Sequence, residues 1–130
     1  MFAETIRKQR DFFQTGQTKK ISFRIQQLKI LKQAIADNET EIYQVLKADL
    51  NKPLAESFTA EIALVIKEIE YAIKHIKNWG KPKKSPIIWQ MLPAYAKIYS
   101  EPLGVVLIIG AWNYPFQLVI APLIGAIAAG

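Results

Sequence analysis

An α/β fold is predicted, with helices over the first eighty residues packed on the start of a parallel sheet. Three observations lead there. Apolar residues recur at helical spacing as far as about residue 80. The run Val105-Val106-Leu107-Ile108-Ile109 has the unbroken, β-branched-rich apolarity of a parallel strand covered on both faces. Pro115 then opens an apolar stretch suited to a helix, since proline fits the first helical turn. The 130 residues, 51% of them apolar, suffice for one modest domain with a core.

Each element can be justified in order. Thr15-Gly16-Gln17-Thr18 separates a first helix from a second. In the second, Ile21, Ile25, Leu28, Leu31 and Ile35 share one face, while Phe23 and Ile30 on the other side suggest burial on two sides. Asp37-Asn38 ends it, and Asn38 with Glu41 has the form of a capping box for a third helix. Asp49-Leu50-Asn51-Lys52-Pro53 is the next break, because Pro53 disfavours a helical Lys52. A fourth helix is predicted over residues 54–79. Ile62, Val65, Ile66, Ile69, Ile73 and Ile76 form its stripe, Lys67, Tyr71, Lys74 and His75 point away, and Glu70 can pair with Lys74. Gly80 and Pro82 stop it.

Residues 81–86, Lys-Pro-Lys-Lys-Ser-Pro, read as a solvated basic linker in preference to a lipid- or phosphate-binding patch. Tyr95, Lys97 and Tyr99 alternate with Ala96, Ile98 and Ser100, the period of a strand. Glu101-Pro102-Leu103-Gly104 is turn chemistry, residues 105–109 are the buried strand, residues 110–114 a loop, and an apolar helix continues to about residue 129. Three regions follow: residues 1–80 helical, 81–100 containing the alternating strand, and 101–130 a strand–loop–helix unit.

Composition removes several functions. A net charge of +6 invites nucleic acid, but the excess is spread over helical surfaces and one short loop, so no nucleic-acid partner is expected. No cysteine and a single histidine exclude disulfides, thiolate metal sites and histidine clusters, so no metal is expected. His75, alone on the outer face, reads as a surface residue. The N-terminus lacks the apolar core of a secretory signal, which makes a cytoplasmic location the expectation.

A buried strand, a loop and a helix make half of a βαβ unit, and ligands of such folds sit at the strand's carboxyl end. The loop from Gly110 to Tyr114 is that place. Neither Gly-x-Gly-x-x-Gly nor a Gly-rich loop ending in Lys-Ser or Lys-Thr is present, so spacing alone indicates only a possible nucleotide-binding unit. By residue type, Asn113 suits a turn or helix cap, and residues 109–112 suit a buried strand end.

Family resemblance adds to this. Glu101-Pro102-Leu103-Gly104-Val105-Val106, then Trp112-Asn113-Tyr114-Pro115-Phe116, then Gly125-Ala126-Ile127-Ala128-Ala129-Gly130 resemble the NAD(P)-dependent aldehyde dehydrogenase superfamily, above all its class 3 and fatty-aldehyde branch. Asp49-Leu50-Asn51-Lys52-Pro53 with Glu56 and Glu61 is similar to that branch's helix-breaking segment. The resemblance implies the start of a Rossmann-like sheet in an incomplete dehydrogenase fold, NAD or NADP as cofactor, an aldehyde substrate, and a homodimer bridged by residues 81–100. It implies that the Asn113 amide donates to the oxyanion of the thiohemiacetal and thioester stages. Ile109, Gly110, Ala111 and Trp112 would line the dinucleotide pocket, and Tyr114 the substrate pocket, although aromatic packing explains Tyr114 equally well.

The family's nucleophile is a cysteine, and this chain has none. Its general-base glutamate and cofactor-binding lysine belong to later regions. The expectation is therefore a portion of a dehydrogenase, inactive alone. Two rival readings use the same residues. Residues 103–130 are long enough for a membrane span, against which stand Asn113, Pro115, Gln117 and Pro122. Residues 1–80 could instead form a non-catalytic helical interaction module.

Overall fold

Ile62, Val65, Ile69, Ala72 and Ile76 recur every three or four residues and are all buried, and this stripe is the spine of the core. The computed structural model describes residues 2–130. Its helices are α1 (Phe2–Gln14), α2 (Ile21–Asp37), α3 (Glu39–Leu50), α4 (Leu54–Glu56), α5 (Ala63–Trp79) and α6 (Pro115–Ala129). Leu28 and Ile35 of α2 and Ile124 and Ala128 of α6 close on the α5 stripe, making a three-helix core around which Ile21, Ile25, Leu31, Ile42 and Phe116 pack. The shared face of α2 is as the spacing predicts. On its other side Phe23 is partly covered by Phe12 of α1, with ring centroids 5.9 Å apart, whereas Ile30 is exposed.

The breaks fall where turn chemistry puts them. Gly16 takes the left-handed φ of 71° between α1 and the short 3₁₀ turn before α2. Asn51 closes α3 with φ 52°, and Gly80 follows the last residue of α5. The capping box is not formed: Asn38 Nδ2 donates to the Ala34 carbonyl at 2.7 Å, so its side chain closes α2 instead of opening α3. Nor is the fourth helix uniform. Between α4 and α5, residues Ser57–Ile62 form a π-helical segment, whose wider turn leaves the adjacent Glu61 and Ile62 both buried together with Ser57. Glu70 pairs across to Lys32 of α2 in place of Lys74.

Two expectations about strands change. Within the presumed linker, Lys83–Ser85 forms a strand (β1) that pairs antiparallel with Ala96–Ile98 (β2), Lys84 opposite Lys97. The expected parallel strand over residues 105–109 carries no strand pairing among the described residues, because a ladder needs a neighbour and the one sheet present is β1–β2. Residues 99–111 are thus neither helix nor paired strand. The long apolar stretch is broken by this segment, and no described helix is long and apolar enough to cross a membrane.

The unpaired segment leaves Leu103 100%, Leu107 85%, Ile109 84% and Trp112 79% exposed, a density of exposed large apolar side chains of the kind that drives association. We expect the 130-residue chain to self-associate at micromolar concentration. The double substitution Leu107→Lys and Ile109→Lys should shift it toward monomer without loss of helix. Size-exclusion chromatography with light scattering, beside far-UV circular dichroism, checks this; a monomeric parent chain would contradict it.

Candidate active site

The turn that carries Asn113 is built from below. Glu61 lies on the same face as Val65 and Ile69 and is 0% exposed, so its carboxylate must find partners inside the protein. Oε1 accepts from the Lys52 ammonium, itself 7% exposed. Oε2 accepts from the backbone amides of Phe116 at 3.1 Å and Gln117 at 2.9 Å. These belong to the first turn of α6, whose amides have no partner within the helix and whose end carries the positive pole of the helix dipole. Glu61 therefore caps α6 from a distant part of the chain. Lys52 is delivered by the left-handed Asn51 and the following Pro53, and its Nζ also lies 3.8 Å from the centroid of the Tyr114 ring.

Asn113 sits in the bend directly ahead of Tyr114 and Pro115 and is exposed. Its side chain makes no hydrogen bond among the described residues, and the helix-cap reading does not hold: Tyr114 occupies the cap position, and Glu61 satisfies the amides. Ile109, Gly110, Ala111 and Trp112 line the approach to this bend and are exposed, not a buried strand end. Their backbone groups make no backbone–backbone hydrogen bond among the described residues. Gly110 lies so close to α6 that a Cβ there would fall 2.3 Å from Val119 Cγ2, so only glycine lets the loop approach the helix this tightly. Tyr114 is half-buried, one ring face given to Lys52.

Shifted titrations lie elsewhere. Burial lowers the Arg24 guanidinium, against a raising influence of Glu101, and Arg24 holds the Ala128 carbonyl of α6 at 3.2 Å. Burial, then the hydrogen bond and charge of Glu39, push the Tyr43 phenol up to about 12. His75 is half-buried rather than fully solvated. Its ring lies 4.0 Å from that of Tyr71 and 6.1 Å from that of Trp79, and its Nδ1 is 2.8 Å from the Tyr71 carbonyl oxygen.

The aldehyde dehydrogenase family model matches residues 2–130. The chain belongs to the aldehyde dehydrogenase family. Its relatives include the 4,4'-diaponeurosporen-aldehyde dehydrogenase of Staphylococcus aureus, 50% identical over 92% of this chain and 26% of that protein. The aldehyde dehydrogenase family 3 member H1 of Arabidopsis thaliana is 48% identical over 91% of this chain and 24% of the relative. The dimeric NADP-preferring aldehyde dehydrogenase of Canis lupus familiaris is 42% identical over 98% and 28%. A solved structure described as the substrate-bound state of Staphylococcus aureus AldH covers the whole chain with a TM-score of 0.97 at 45% identity, and 28% of that chain is matched. This aldehyde dehydrogenase chain thus spans about a quarter of the length of such relatives, and its backbone is a portion of their fold. The class 3 resemblance holds, and the unpaired segment over residues 105–109 belongs to that portion.

The sequence alone gave no role to Lys52 and Glu61, although Glu61 announces itself: a carboxylate on the apolar arc of an amphipathic helix needs a buried partner. Removing one member of such a pair strands the other and typically costs about 3–5 kcal/mol, whereas replacing both with apolar groups is often near neutral. In the Leu107→Lys, Ile109→Lys background, Glu61→Ala should therefore destabilise by about 3–5 kcal/mol, and the Lys52→Met, Glu61→Leu double by less, because it strands no charge although it still leaves the Phe116 and Gln117 amides without their acceptor. Urea unfolding followed at 222 nm measures both.

Proposed function

We propose that these residues supply the oxyanion donor and one edge of the cofactor pocket in an enzyme that oxidises an aldehyde to a carboxylic acid with NAD or NADP in the cytoplasm. The observation that carries this reading is the unengaged Asn113 amide at the head of α6, left free because Glu61 takes the capping role. Attack of a thiolate on an aldehyde turns the carbonyl oxygen into an alkoxide, and a fixed N–H donor lowers that barrier by about 3–4 kcal/mol. Asn113 Nδ2 is the donor, and it serves again when water attacks the thioester. The thiolate comes from outside these residues, which contain no cysteine.

The chemistry of this edge supports one part of a dinucleotide over another. From Pro102 to Gly130 there is no charged side chain, and the first amides of α6 already serve Glu61, so this helix end does not offer its amides to a pyrophosphate. The open, uncharged edge of Ile109, Gly110, Ala111 and Trp112, with unused backbone groups, suits the neutral amide and ribose parts instead. Bound NAD or NADP supplies the hydride acceptor. Tyr114 borders the aldehyde with the ring face that Lys52 leaves free. Residues 81–100 present exposed Trp89, Leu92 and Tyr95 beside β1–β2, a surface suited to a second copy, so the reading includes a homodimer.

Two measurements test this. The 130-residue chain, freed of host dehydrogenases, should give no aldehyde-dependent NAD(P)H; turnover above a blank would overturn the division of labour. In a complete aldehyde dehydrogenase in which residues 1–130 replace the matching segment, Asn113→Ala should lower kcat by about a hundredfold or more, with dinucleotide KM little changed. Near-normal turnover would make Asn113 a structural turn residue.

A further inference from the structure

We propose that Lys52 and Glu61 are positioning residues that fix where the Asn113 amide points, an inference that rests on the oxyanion role of Asn113. Beyond each other, the polar and ring partners recorded for the two side chains lie on one small stretch of chain. Glu61 Oε2 takes the amides of Phe116 and Gln117, its Oε1 takes Lys52, and Lys52 lies against the ring of Tyr114, the residue next to Asn113. Residues 114, 116 and 117 are thereby tied to the π-helical segment Ser57–Ile62, which joins directly to the core spine of α5. On the other side of Asn113, the close approach of Gly110 to Val119 ties the loop back to α6. Asn113 stands between these two anchors with its own amide unspent.

That arrangement assigns capping and oxyanion donation to different residues. An asparagine that capped α6 would accept a helix amide with its Oδ1, and that bond would dictate where its Nδ2 points. A remote carboxylate that satisfies the same amides releases it. Glu61 itself is buried, and the contacts recorded for it are with Lys52 and α6, so it acts on the reaction through the turn and not by touching the substrate. A donor displaced by about 1 Å can cost up to about a hundredfold in rate, so an anchor of this kind has kinetic weight.

The test is a double-mutant cycle in the segment-exchanged dehydrogenase, with kcat and the KM values for aldehyde and dinucleotide measured for each variant. Glu61→Gln should lower kcat by about tenfold or more, with dinucleotide KM changed by less than about threefold. In the Asn113→Ala background the same substitution should have little further effect, because the group it positions is gone. Lys52→Met should behave as Glu61→Gln does, and Lys52→Arg should restore most of the rate, since it keeps the charge and the ring contact. An equal fall in kcat in both backgrounds would show a general structural role and overturn the proposal, as would an unchanged kcat in Glu61→Gln. If Glu61→Gln does not fold, the Lys52→Met, Glu61→Leu double carries the cycle: a folded enzyme with normal kcat overturns the proposal, and one with a lowered kcat that vanishes in the Asn113→Ala background supports it. Should Asn113→Ala itself leave kcat intact, the oxyanion reading fails. A full effect of Asn113→Ala with none from Glu61 or Lys52 defeats the positioning role alone.

Discussion

The carboxylate of Glu61 is the constraint on which the placement of α6 depends. Helix α6 carries no charged residue of its own, so neither end of its dipole can be answered from within. Charges from elsewhere answer both. Glu61 meets the amides at its start, and the Arg24 guanidinium, held by the carbonyls of Thr18 and Lys19, meets the Ala128 carbonyl near its end. An apolar helix with weak directional preference is thereby given one direction and one axial position. Burial of Ile124 and Ala128 against the α5 spine supplies the driving force, but apolar contact alone would tolerate a slip along the axis. The two charges remove that freedom.

A buried ion pair is a poor way to gain stability, since desolvating both charges offsets most of their attraction. Its use here makes sense as specificity. An apolar residue at position 61 would extend the stripe and pack readily, but it would leave two amides of α6 without partners and Lys52 without its carboxylate. The π-helical segment belongs to the same solution. It lets residue 61 turn a carboxylate toward α6 while residue 62 still enters the core, which an ideal helical turn makes harder for consecutive residues.

What the sequence disclosed and what it hid follow a physical division. The stripes of α2 and α5, the breaks at Gly16, Asn51 and Gly80, and Pro115 at the start of α6 rest on local periodicity and turn chemistry, and they stand in the structure. The head of α6 was legible only as a motif, because family resemblance pointed to Asn113 where residue type suggested a cap. The misreadings are choices between partners that the local pattern does not decide, one of them only four residues away and others far off in sequence. Asn38 chose the helix behind it over the one ahead, Glu70 chose Lys32 over Lys74, and Lys83–Ser85 found a strand more than ten residues on. The link from Glu61 to Phe116 and Gln117 spans more than fifty residues and leaves no periodic trace. Its only local sign is a charge in an apolar stripe.

Stability and chemistry also divide along the chain. The core lies in α2, α5 and α6, while the segment from Leu103 to Trp112 leaves most of its apolar side chains exposed and makes no backbone–backbone hydrogen bond among the described residues. On the proposed reading these residues form a pocket edge, and an edge that takes a ligand has to remain open. Gly110 apart, the placement of Asn113 therefore cannot come from the segment that leads into it. It comes from the rigid side: a buried carboxylate on the helix spine, a lysine set by Asn51 and Pro53, and a glycine that lets the loop touch α6. In this arrangement the Asn113 turn is anchored by buried residues behind it, and the segment ahead of it stays exposed.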